Sequence, residues 1–151
     1  MYSAVLVALD GSQGAAVAIP HALEMARGLA ADLVLLRVVP TVSGSHGSAR
    51  REYDVQRSQA EGYLESLVRS LSPRGVKIES VIGVGDPASV ILETARSLGR
   101  PLVVITAYGR TRSRTAGDFG RVAQAVLREA EGPVVFVRPR IDQQVSHGNP
   151  R

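Results

Sequence analysis

Five short runs of apolar, β-branched-rich residues punctuate the chain: Ala4–Leu9, Leu33–Val39, Val76–Ile82, Leu102–Thr106 and Val134–Val137. All but the third are nearly continuous in apolar character, the pattern of strands covered by helices on both faces. The third alternates through Lys77 and Glu79, as an edge strand with a wetter face does. Helical spacing fills the intervals. Ile19, Leu23, Ala26 and Ala30 form one stripe, Ala60, Leu64, Leu67 and Leu71 a second, and Val122, Val126 and Ala130 a briefer third. Asp86-Pro87 offers an N-cap followed by Pro at the first helical position, which predicts a helix reaching Leu98. Ser12 is the candidate cap of the first helix, and Pro20 inside that helix predicts a kink. The order βαβαβαβαβ predicts an α/β fold, one open parallel sheet with helices on both faces and right-handed crossovers. Thr41–Arg50, rich in Ser and Gly, reads as a mobile loop, and the polar stretch Ile141–Arg151 as a disordered tail.

Composition narrows the classes. A chain of 151 residues is one ordinary domain. With 44% hydrophobic and 21% charged residues, wholesale disorder is excluded. The absence of Cys removes disulfides, thiolate nucleophiles and Cys-based metal sites, and it fits a reducing compartment. The chain opens directly on a strand-like run, and no apolar run approaches the ~18 residues of a membrane span. A cytoplasmic protein without membrane attachment is expected. The net charge is +4, and Lys77 is the only lysine among 18 basic residues. So modest a charge, with only 4 Tyr and 2 Phe to stack bases, argues against nucleic acid as a partner.

Several chemistries lack their residues. A phosphate-binding P-loop needs Lys after a Gly-rich turn, and the sole lysine sits in the third apolar run. No Ser occupies a Gly-x-Ser-x-Gly elbow. His21, His46 and His147 share no metal-ligand spacing, and no paired carboxylates mark an acid–base site. No catalytic residue, no metal site and no enzyme are expected. Gly83-Val84-Gly85-Asp86-Pro87-Ala88 satisfies the dinucleotide fingerprint Gly-x-Gly-x-x-Gly/Ala. However, it follows the third strand, and the next strand ends in Thr106-Ala107 without the acidic residue that would hold a ribose. It reads as a tight turn and helix cap.

The informative stretch runs from Ala107 to Ala123, after the fourth strand and into the last helix. In an open parallel sheet, ligands bind beyond the carboxyl ends of the strands, where the chain reverses direction across the sheet. A Gly-rich loop entering a helix there offers amides and a positive dipole end to an anion. Arg110, Arg112, Arg114 and Arg121 add positive charge. An anion site and a merely solvated arginine loop both satisfy this pattern.

Five segments in order resemble the universal stress protein family. They are Val5-Leu6-Val7-Ala8-Leu9-Asp10-Gly11-Ser12, Leu35-Leu36-Arg37-Val38-Val39-Pro40, Gly85-Asp86-Pro87-Ala88 with Ile91, Leu102-Val103-Val104-Ile105 with Tyr108-Gly109-Arg110, and Gly120-Arg121-Val122-Ala123 through Gly132-Pro133-Val134-Val135-Phe136-Val137-Arg138. The resemblance covers residues 2–139, nearly the whole chain. It implies a Rossmann-like fold of the adenine nucleotide alpha hydrolase type with strand order 3-2-1-4-5. It also implies a domain of residues 1–139 ahead of a polar tail at 140–151, and a homodimer paired through Val134–Val137. An exposed apolar edge there is an aggregation hazard that dimer pairing removes.

The family contains ATP binders and non-binders. Binders carry Gly-x-x-Gly, a spacer, then Gly-Ser/Thr. The resemblance places Asp10, Val38 and Ala107 where adenosine sits, and Gly109 and Gly120 as the outer glycines. It puts Arg110, Arg112, Arg121 and Val122 beside the phosphates, with ATP and its Mg as the implied ligand. This sequence departs from that pattern. Arg112 replaces the second Gly, Arg121 replaces the Ser/Thr, and the Gly109–Gly120 separation is short. A side chain at position 112 is strained wherever the backbone needs φ > 0, yet either arginine can grip phosphate bidentately. Three readings therefore stand: a stress-response protein sensing an adenine nucleotide with at most slow ATPase activity, a dimeric interaction module without nucleotide, and a polyanion-binding protein using the arginine loop.

Overall fold

Each apolar run becomes a strand because β-branched side chains suit a pleated surface that helices can cover. A computed structural model describes residues 1–41, 43, 46–72, 75–107 and 120–138. Strands β1 (Ala4–Leu9), β4 (Leu102–Thr106) and β5 (Val134–Val137) match the sequence expectation end to end, and β2 (Asp32–Val39) begins one residue earlier. Strand β3 (Ile78–Val84) lies two residues later than its apolar run suggests. It pairs with β2 from Leu33↔Ile78 to Val39↔Val84, and the Gly85 amide continues the ladder to the Val39 carbonyl at 3.0 Å. Gly83 and Val84, which read as turn, are therefore sheet. A Cβ at position 83 would run into the Val90 side chain, so glycine is what lets the next helix lie this close.

The five strands are all parallel and ordered β3-β2-β1-β4-β5. As its charge alternation predicts, edge strand β3 has no buried residue. One face of the sheet (Val5, Val7, Leu9, Leu33 and Leu35) is covered by α1 (Gln13–Ala16), α2 (Ala18–Leu29) and α3 (His46–Leu71). The other face (Leu6, Val34, Leu36, Val103 and Ile105) is covered by α4 (Pro87–Ser97) and α5 (Arg121–Glu129). Within each strand, successive residues go to opposite faces, as the period-2 alternation of side chains requires.

Two helix expectations need correction. The first helix is not kinked at Pro20 but divided at Val17, giving α1 and α2. Proline has no amide to donate to the Ala16 carbonyl and its ring collides there. With the break at Val17, Pro20 falls in the first turn of α2, where its missing N–H costs nothing. Ser12 caps α1 as expected, its hydroxyl accepting from the Ala15 amide at 3.1 Å. The segment Thr41–Arg50 is not loop throughout, because α3 already starts at His46. Asp86 caps α4, as its sequence predicts. Among the described residues no helix is long and apolar enough to cross a membrane. The tail at 140–151 lies outside them.

Successive crossovers carry the chain from β1 to β2 to β3, then back past β1 to β4. The reversal lies between β1 and β4. Their carboxyl ends are therefore the place where the fold leaves a crevice.

Candidate functional site

A cleft of about 310 Å³ opens at that reversal, lined by Asp10, Val38, Ile105, Gly120, Arg121 and Val122 among others. Asp10 ends β1. Its Oδ1 accepts from the Ser12 amide at 2.8 Å, an Asx turn that forces the chain to reverse, and Gly11 supplies the left-handed φ of +82°. Val38, half-buried near the end of β2, forms part of an apolar wall. Ala107 is fully buried behind the cleft. Its amide donates to the Val137 carbonyl at 3.0 Å, and its carbonyl accepts from the Gly120 amide at 2.8 Å. The second bond joins the end of β4 to the start of α5. Gly120 caps α5 with its backbone only, leaving the first-turn amides of Arg121, Val122 and Ala123 without intrahelical acceptors.

Of the residues singled out in the sequence, the fold thus brings together Asp10, Val38, Gly120, Arg121 and Val122, with Ala107 behind them. Gly109, Arg110 and Arg112 lie outside the described residues. Arg37 was not singled out and belongs to the same cleft. Its guanidinium lies against Gly11, where any Cβ would meet it at 2.8–2.9 Å, and it stacks over Tyr63 with 5.7 Å between Cζ and the ring centroid. The available signal was one charge inside an otherwise apolar strand. Burial raises the Tyr63 phenol above its ordinary range, while Arg37 pulls it down and Asp10 pushes it up. The three groups thus share one electrostatic environment.

Next to the cleft-lining Pro87, Asp86 accepts from the Ser89 amide at 3.0 Å and from its hydroxyl at 2.9 Å. These bonds hold its carboxyl below the usual range, the amide most strongly, and Arg121 adds to the effect. Arg121 is thus near enough for its charge to act on that carboxylate. Among the described residues no cluster of His, Asp or Glu could hold a metal ion. What remains is a carboxylate acceptor, an apolar wall, helix-end amides and two guanidinium groups. Such a set suits a ligand with hydroxyls, a flat apolar ring and an anion.

The family model described as "Universal stress protein family" matches residues 1–138. The chain belongs to the universal stress protein family. Among solved structures, a universal stress protein family member from Burkholderia pseudomallei is 32% identical, with a TM-score of 0.73 over 90% of this chain and 96% of that one. The universal stress protein UspA from Lactobacillus plantarum is 22% identical, with a TM-score of 0.80 over 91% and 98%. A family member from Arabidopsis thaliana, solved with AMP bound, is 22% identical with a TM-score of 0.68 over 96% and 97%. Other matching family structures were solved with cAMP and with dAMP. No curated protein matches the chain significantly in sequence. The fold is the adenine nucleotide alpha hydrolase type shared by these universal stress proteins.

Proposed function

We propose that this universal stress protein is a small dimeric stress-response protein of the cytoplasm. It binds an adenine nucleotide in the cleft between the carboxyl ends of β1, β2 and β4 and acts by binding and conformational signalling. The supporting observation is convergence: Asp10, Val38 and the N-terminus of α5 line one cleft of about 310 Å³, within the usual range for small-ligand sites. In this reading the adenine lies against the apolar wall at Val38 and Ile105, and Asp10 accepts from ribose hydroxyls. The phosphates run toward the first-turn amides of α5, and an ATP held there would bring its Mg with it. Relatives solved with AMP, cAMP and dAMP support the same ligand class. Among the described residues that line the cleft, Asp10 is the only candidate general base, and it already serves the turn at Ser12. Turnover is therefore no faster than a slow ATPase.

A second reading has one observation in its favour. Arg121 stands where binders carry Ser/Thr, and its charge acts on Asp86. A cleft whose phosphate end carries an arginine side chain in place of a small hydroxyl suits a module that works through protein contacts alone. Calorimetric titration with Mg-ATP, AMP and inorganic polyphosphate at moderate salt separates the readings. Heat that requires adenine supports the nucleotide site. Heat that follows phosphate number regardless of adenine replaces it with a polyanion site. No heat, with no ligand-induced shift in melting, leaves the interaction module.

A further inference from the structure

Crossover helices run opposite to the strands they join, so α4 and α5 both end at the amino ends of β4 and β5. There they leave a second cavity, of about 560 Å³, at the far end of the sheet from the cleft. Its inner wall is apolar: Ile91, Leu92 and Ala95 from α4, Val126 and Ala130 from α5, and Val103 from β4. Val126 is fully buried and Ile91 and Val103 nearly so, which makes this wall part of the core. The volume is that of a small-ligand site. At the mouth, the Val103 amide donates to the Pro133 carbonyl at 3.1 Å. Arg96 Nε donates to Glu131 Oε1 at 3.2 Å, linking the end of α4 to the turn after α5.

The rim carries four charged side chains, and only those two pair. Arg100 and Glu129 also line the cavity, yet neither has an ion pair with the other or with any described residue. The helix ends sharpen the difference between them. Backbone bonds from Leu98 to Thr94 and from Gly99 to Arg96 close the last turn of α4, ahead of Arg100. After Glu129, a single bond from Ala130 to Val126 closes α5, so the Leu127, Arg128 and Glu129 carbonyls receive no backbone donor among the described residues. One side of the mouth therefore suits an anion, which a guanidinium can hold with two parallel N–H groups. The other, a carboxylate beside the negative end of a helix, suits a cation. We infer that this cavity binds a small zwitterion with an apolar body, the chemistry of an apolar amino acid or dipeptide. The carboxylate meets Arg100, the ammonium meets Glu129, and the apolar part enters between α4 and α5. The site is separate from the cleft and stands whether or not the cleft takes a nucleotide.

The test is calorimetric titration of the full chain with leucine and leucyl-leucine at neutral pH and low salt. The tighter binder is then compared with its C-terminal amide, its N-acetyl form and glycylglycine. Each of these three should bind about tenfold or more weakly, because each lacks one of the recognised parts. Arg100→Gln should abolish the preference for the free carboxylate and keep that for the ammonium, and Glu129→Gln should do the reverse. Both side chains are exposed, so neither variant disturbs packing. Equal binding of the free, amidated and acetylated forms overturns the ionic recognition, and glycylglycine binding as tightly overturns the apolar pocket. Preferences that survive in both variants place the ligand elsewhere and overturn the site. Failure of both leucine and leucyl-leucine to bind overturns the inference outright, with no bearing on the adenine site.

Discussion

Asp10 has two tasks, and a single substitution separates them. As an Asx-turn former it needs only an oxygen to accept from the Ser12 amide, which Asn also supplies. As a ribose acceptor in the proposed site it needs charge, because hydrogen bonds to ionised groups are about twice as strong as neutral ones. Asp10→Asn should therefore leave the urea midpoint nearly unchanged while weakening adenine-nucleotide binding about tenfold, measured by calorimetry. Asp86 supports a different experiment. Its folded-state pKa is depressed, first by the Ser89 amide, then by the Ser89 hydroxyl and to a lesser extent by Arg121. A depressed carboxylate contributes stability above its unfolded pKa of about 3.9, and that contribution is lost as pH falls through the folded value. Urea unfolding from pH ~5 down to pH ~2 should show a steeper loss for the native chain than for Asp86→Asn. Asp10 and Asp86 were legible in the sequence because a carboxylate before Gly-Ser or before Pro has a local task. Arg37 was not, since its partners Gly11 and Tyr63 come from distant positions that only the fold assembles.

Elements with a local signal match their expectation, and those decided by neighbours shift. Apolar runs fixed β1, β4 and β5 to the residue, and Asp86-Pro87 fixed the start of α4. The end of β3 moved because β2 offers it a longer partner than its own composition announces. The start of α3 moved further. Its first buried residue is Ala60, so residues 46–59 carry no apolar stripe for periodicity to detect. A helix of 26 residues spans ~39 Å, while a strand of 7 residues spans ~23 Å, so α3 must overhang the sheet. The overhanging turns rely on local pairs: Arg57 with Glu61 at 3.1 Å, Arg57 with the Tyr53 hydroxyl at 3.0 Å, and Gln56 with Glu52 at 3.2 Å. Such pairs are worth only about 0.2–0.5 kcal/mol each, and the overhanging stretch is short enough to be marginal without tertiary packing. Hydrogen exchange should find amides from Ala60 to Leu71 protected and those from Arg50 to Ser58 exchanging orders of magnitude faster. Uniform protection along α3 would mean that another surface covers its first half.

At the scale of the molecule, the sheet has one wet edge and one apolar edge. β3 ends the sheet with Glu79 and Ser80 exposed, residues that discourage further pairing. β5 ends the other side with Val134, Val135 and Phe136, all half-buried. The Val103 amide donates to the Pro133 carbonyl and the Ala107 amide to the Val137 carbonyl. Odd-numbered residues of β5 thus turn their backbone groups toward β4. By the alternation of a strand, Val134 and Phe136 turn theirs outward, where a twofold-related β5 would receive them in the proposed dimer. Val134→Pro removes one outward amide and leaves every bond to β4 in place. Sedimentation velocity should give twice the chain mass of 16.0 kDa for the native protein and a single chain mass for Val134→Pro. A dimer that persists in the variant would place the interface elsewhere. A native monomer would mean that β5 tolerates an open apolar edge, and the sequence argument from edge hazard would then fail for this chain. The dimer also bears on the cleft, because Val137 accepts from Ala107 and Ala107 accepts from Gly120. In the proposed dimer, pairing at β5 would brace Ala107 and Gly120, and Val134→Pro should weaken nucleotide binding along with dimerisation.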